Sequence, residues 1–220
     1  MNITIDRDNF VKAVRAVAHA IGDKTRPDAQ QCMLVRIVDE HWIDVVCLDG
    51  HRIAKWHERV ISGDTGPASV LVRNVKDLTR WAKSLPKGGE ISIDFTTSVI
   101  DAICATFSID ACEDAFPDYE AIFAYAAERD RGAVVERLRE LGDALGDAPD
   151  VAEHVRTIRE GARMLDEATT VAVNGRYLAA AAKAYGGESI VSLAGKLDPI
   201  VFRSAMHGAD LTCIVMPVNK

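Results

Sequence analysis

The feature that most constrains this chain is a pattern written twice, about a hundred residues apart. Strand-like "VLVRN", helix-like "VKDLTRWAKSL", the turn "PKGGE" and strand-like "ISIDF" are matched by "TVAVN", "GRYLAAAAKAY", "GGE" and "SIVSLA". Val70 to Ile91 and Val171 to Ile190 thus play corresponding parts, at a period too long for a solenoid and suited to a duplicated domain. The chain's opening has the same order. Residues 2 to 6 alternate like a strand, and "DRDNFVKAVRAVAHAIG" then places Phe10, Val14, Val17 and Ile21 on one helix face. "MLVRIV" and "IDVVC" follow as paired strands around the polar "DEHW". Near the end, "PIVFRSA" and "LTCIVMP" read as further strands.

A chain of 220 residues that is 48% hydrophobic can bury a core without staples. Its five cysteines show neither a C-x-x-C pair nor zinc-site spacing, and read as buried thiols of a reducing cytoplasm. No secretory signal pattern opens the chain and no apolar run reaches the roughly 20 residues that span a bilayer; the expectation is a cytoplasmic protein that makes no membrane contact. A net charge of -7 argues against nucleic-acid binding over the whole surface.

Local basic stripes nevertheless stand out: Lys12, Arg15 and His19 on the first helix, and Lys76, Arg80, Lys83 and Lys87 on the second. Steps of three and four put each set on one helix face. Arg176 and Lys183 extend the pattern to the later copy. One reading is a solvated face. The other is a surface that neutralises duplex phosphates without reading bases, in a molecule whose remaining surface is acidic. The patterns of serine hydrolases, zinc proteases, dinucleotide folds and P-loops are absent. "CLDGHRIAKW" sets Asp49 beside His51, but adjacent turn residues rarely converge on one substrate atom. Asp-Gly after an apolar run is above all a turn, in which Gly50 is free to adopt positive φ. The expectation is therefore no catalytic residue, no metal and no cofactor.

Three segments resemble one family. "LDGHRIA" (48 to 54) resembles "TDGHRLA", "FPDYEAIF" (116 to 123) resembles "FPDYRRVLP", and "VMPVNK" (215 to 220) is similar to "VMPMRL" of the bacterial DNA polymerase III beta subunit, the sliding clamp. The order and separations agree with the clamp's second and third domains. The resemblance implies an α+β protein with two clamp-type domains, residues 1 to 123 and 124 to 220, whose helices lie on one face of antiparallel sheets.

It further implies a non-enzymatic, nucleoid-associated processivity factor that encircles double-stranded DNA without sequence preference. Short peptide motifs of DNA polymerase and the clamp loader would enter a groove walled by Gly50, His51, Arg52, Ile53, Pro117, Ile122, Ile214, Val215, Met216, Pro217 and Val218. Laid against the family, the chain is expected to have no equivalent of the first domain, and a six-domain ring would then need a homo-oligomer of three chains. The stripe Val134, Leu138, Leu141, Leu145 and a second through Val151, Val155, Ile158 and Leu165 predict that 130 to 165, and so the first half of the second domain, is mostly helical. The competing expectation is a clamp-like module that forms no ring and competes for, or delivers, clamp-binding partners.

Overall fold

The computed structural model describes residues 1–64, 66–128, 133–136, 152–156, 170–185, 189–192, 198–204 and 211–217. The chain divides into two compact units, Met1–Pro117 and Asp118–Lys220.

The first unit runs β1 (Asn2–Asp6), α1 (Arg7–Val17), β2 (Met33–Ile37), β3 (Trp42–Leu48), β4 (Arg52–Gly63), β5 (Ser69–Val72), α2 (Val75–Ser84), β6 (Glu90–Asp94), β7 (Val99–Ala102) and β8 (Ala105–Ser108). All pairings are antiparallel, in the order β8, β7, β6, β1, β4, β3, β2, β5. β4 holds the two halves together. Its first part pairs with β3, from Leu48↔Ile53 to Trp42↔Arg59, and its last part with β1, where the register slips between Thr4 and Ile5. Such an irregularity bends a strand and deepens its twist. Gly63 allows the crossing, because a Cβ there would lie 2.5 Å from the Asn2 carbonyl oxygen. Beyond β8 the chain returns to β5: Cys112 N–H donates to the Leu71 carbonyl at 2.9 Å, so the sheet curls until its two ends meet.

Inside this curl lie Phe10, Val14 and Val17 of α1, Leu78 of α2, and Ile3, Ile5, Ile91, Ile93 and Ile100 from the strands, all buried. α1 starts where the Asp6 carboxylate accepts the Asn9 N–H at 2.8 Å, a normal N-cap. It ends by tightening into a 3₁₀ turn, Ala18–Ala20, so Ile21 falls outside the helical stripe. α2 stops at Ser84, and Leu85, which precedes Pro86, is extended at φ -66, ψ 143. Trp81 of α2 packs on Phe107 of β8 at 5.5 Å.

The second unit contains α3 (Tyr119–Glu128), β9 (Ala133–Glu136), β10 (Ala152–Arg156), β11 (Thr170–Asn174), α4 (Gly175–Tyr185), β12 (Ser189–Ser192), β13 (Ile200–Ser204) and β14 (Leu211–Val215). β9, β12, β13 and β14 form an antiparallel sheet, and β10 pairs with β11. β9 pairs with β12 as β1 pairs with β6, so the repeat runs deeper than its sequence reveals. This corrects the helical reading of 130 to 165 at 133 to 136 and 152 to 156. Two strands stand within that span, and the rest of it lies outside the described residues. A run as short as "AVVE" fits either period, and hydrogen bonding to a partner strand decides for β. α3, inside "FPDYEAIF" and beyond, is a helix that the sequence reading did not contain. Among the described residues, no helix is long and apolar enough to cross a membrane.

Candidate functional site

The turn between β3 and β4 is organised by Asp49, which is buried. Its Oδ1 accepts the N–H groups of His51 at 3.0 Å and Arg52 at 3.1 Å, and its Oδ2 accepts Arg52 Nε at 2.9 Å. The Asp49 N–H donates to the Arg52 carbonyl at 3.1 Å, and Gly50 takes φ +82. These three accepted bonds, from backbone and guanidinium N–H groups, are the geometry of a turn rather than of an acid–base pair. Gly50 and His51 stand exposed and Arg52 is half-buried, while Ile53 is buried behind them.

His19 lies behind this turn, and its position corrects the assignment to a DNA-facing stripe. Its Nδ1 is 2.7 Å from the Ala16 carbonyl oxygen. Burial pushes its pKa down to about 4, with Arg52 adding a smaller effect in the same direction. The ring is therefore neutral near pH 7 and cannot neutralise a phosphate.

The other residues that the resemblance assigned to a peptide groove differ in what they present. Pro117 and Pro217 are half-buried, and Ile122 is half-buried on α3, where Tyr119 meets Phe123 edge-to-face at 6.5 Å. Ile214 and Val215 are each 1% exposed, as an ordinary core strand would have them, whereas Met216 is 37% exposed. Val218 lies outside the described residues. In the first unit Gly50 and His51 are exposed over buried Ile53; in the second, Met216 is the exposed residue at the end of a strand whose Ile214 and Val215 are buried.

The basic residues are laid out more simply. Lys12 and Arg15 are exposed on α1, and Lys76, Arg80 and Lys83 on α2. Lys76 and Lys83 have no ion-pair partner among the described residues, and Arg80 pairs only with exposed Asp77 at 2.9 Å. Lys87 is also exposed but sits past the end of α2, in the turn that Pro86 starts, and so leaves the helical stripe. In the second unit, Arg176 and Lys183 are exposed on α4.

Two buried polar centres were not visible in the sequence. Arg7 donates from Nη2 to the carbonyls of Ala82, at 3.1 Å, and Leu85, and from Nη1 to Asp8. A cation is thereby placed on the last carbonyls of α2, where the helix dipole favours it. Asp44 of β3 is buried against His57, whose Nδ1 is 2.7 Å away and whose ring stacks on Trp42. Neither carries a local sequence signal, since Arg7 and its carbonyl partners lie 75 and 78 residues apart. No group of three potential metal ligands forms among the described residues. Cys32, Cys47, Cys112 and Cys213 are buried, and burial pushes the Cys32 thiol up to about 12, but Cys104 is exposed.

No family model matches the sequence, and no curated protein matches it. Solved structures do. The chain matches over 100% of its length a DNA polymerase sliding clamp from Bacillus subtilis (17% identity, TM-score 0.80), a ligand-bound clamp from Pseudomonas aeruginosa (17%, 0.83) and a griselimycin-bound DNA polymerase III beta clamp from Bartonella birtlesii (16%, 0.78). It spans 64%, 66% and 66% of those chains, respectively. The curled antiparallel sheets and few helices are thus the sliding-clamp fold.

Proposed function

We propose that this chain, built on the sliding-clamp fold, is a non-enzymatic processivity factor that surrounds double-stranded DNA and holds replication proteins to it. The observation that carries the reading is the set of exposed cations Lys12, Arg15, Lys76, Arg80 and Lys83 on α1 and α2, in a molecule of net charge -7. Contacts of ammonium and guanidinium groups with phosphates release counterions and are blind to base sequence, as sliding requires. Arg176 and Lys183 on α4 are the second unit's share.

In the same reading, the Asp49–Arg52 turn, Pro117, Ile122 and the segment from Ile214 to Val218 wall a groove for short peptides of DNA polymerase and the clamp loader. Griselimycin, bound by the Bartonella and Pseudomonas clamps, is the natural probe of that groove. Met216 suits varied partners, because its unbranched thioether repacks easily. Three copies would supply six domains for a ring, and head-to-tail contacts must close if they are not to grow into a filament. Sedimentation equilibrium over a range of concentrations tests the assembly. A species of three chains is expected; a lone chain at the highest concentration would favour a clamp-like module that binds partners without encircling DNA.

A further inference from the structure

We propose that the first unit carries a second binding pocket, separate from the groove and from the basic helix faces, that takes an extended protein segment bearing an arginine or lysine. A cavity of about 500 Å³ opens where the loop after α2 meets β1, β6 and the β7–β8 turn. Its size falls within the roughly 300–1,000 Å³ usual for ligand sites.

The register explains the lining. Thr4 pairs with Ser92, and Ser92 with Asp101, so two hydroxyls and a carboxylate form a row across β1, β6 and β7. The Thr4 and Ser92 oxygens are 3.5 Å apart, and Asp101 accepts the Thr106 hydroxyl at 2.6 Å while remaining exposed. Glu90 lies at the edge of this row, exposed, its carboxylate without a hydrogen-bond or ion-pair partner among the described residues. Leu85 and Ile103 add apolar walls, and Ile103 is 97% exposed at the tip of the hairpin.

The remaining wall is Arg7. Its side chain is 9% exposed, its terminal nitrogens are engaged with Asp8 and two carbonyls, and its Nε is buried with no partner. Arg7 is thus part of the wall rather than a free donor. Asp8 already balances its charge, so Glu90 and Asp101 leave the cavity net negative, which disfavours a free anion. A cationic side chain of an extended segment fits this lining: its methylenes can lie along Leu85 and Ile103 while its head reaches the carboxylates.

The test uses the full chain and fluorescence anisotropy with a short fluorescein-labelled peptide of alternating leucine and arginine, and its leucine–glutamate counterpart. The arginine peptide should bind and the glutamate peptide should not. The double variant Glu90→Gln/Asp101→Asn should weaken binding about tenfold or more, as loss of charge-assisted bonds does. Glu113→Gln/Asp114→Asn, which removes equal charge from exposed acids outside the cavity, should leave affinity nearly unchanged. Ile103→Ser, at a site too exposed to affect folding, should weaken binding by a few-fold. Equal loss in both double variants would reveal diffuse attraction to an acidic protein and overturn the proposal, as would failure of the arginine peptide to bind the unaltered chain.

Discussion

Arg7 and Lys83 both stand at the C-terminal end of α2, and the fold uses them in opposite ways. Arg7 is buried and donates to the Ala82 and Leu85 carbonyls, while Lys83, one residue from Ala82, is exposed with no ion-pair partner among the described residues. The same contrast separates Arg52, turned into the buried Asp49, from Arg80, which meets only an exposed aspartate. Cations needed by the architecture are consumed by carbonyls and buried carboxylates. Of the exposed cations, Lys12, Arg15, Lys76, Arg80 and Lys83 lie on α1 and α2, while others, Lys24, Arg59 and Lys87 among them, lie elsewhere in the first unit; it is the helical set that the proposed function assigns to a polyanionic partner.

The contrast breaks first at Arg7. Arg7→Ala strips two helix-end carbonyls and Asp8 of their donor, and should cost about 2–4 kcal/mol in urea unfolding; a loss below about 0.5 kcal/mol would mean that Arg7 is no more structural than a surface residue. Next in size, Asp49→Ala removes the acceptor of two backbone N–H groups and Arg52. It should cost about 2–3 kcal/mol and, if the proposed groove is right, weaken any binding of griselimycin, the ligand of two similar clamps. Retained affinity with lost stability would separate the turn from the groove.

His19 sharpens the comparison through pH. Its folded pKa of about 4 is depressed from the ordinary 6.5, so the unfolded chain binds a proton that the folded chain refuses. Its contribution is therefore fully present above pH 6.5 and is lost as pH falls from about 6.5 to about 4, amounting to at most about 3 kcal/mol. Urea unfolding across that range should show the decline, and His19→Gln should flatten it. An unchanged slope would return His19 to the exposed cations.

Much of this was legible in the sequence wherever a periodic apolar face has one buried side: α1, α2, β2, β3, β5 and β6 all lie where their patterns put them. β4 escaped because its pattern is broken by Lys55, His57, Glu58 and Arg59. Glu58 is buried all the same, because Asn9 at 3.2 Å and Trp56 at 2.9 Å donate to it. β9 and β10 escaped because short valine-containing runs take their conformation from strands distant in sequence. At the site, spacing found the exposed lysines and arginines but also swept in His19 and Lys87. Periodicity says which residues share a face, not where the helix tightens or a proline stops it. The turn at Asp49 was readable because its chemistry is local, and Arg7 was not because its partners come from another helix.

The most direct test of the central claim is the salt dependence of binding to a labelled DNA duplex, compared between the unaltered chain and Arg80→Glu/Lys83→Glu. Both residues are exposed, so stability should change by less than about 0.5 kcal/mol. Affinity should fall with salt for the unaltered chain, and the variant should bind more weakly, with a log–log slope shallower by about two contacts. Identical affinity and slope for the two proteins would contradict the assignment of these helices to DNA.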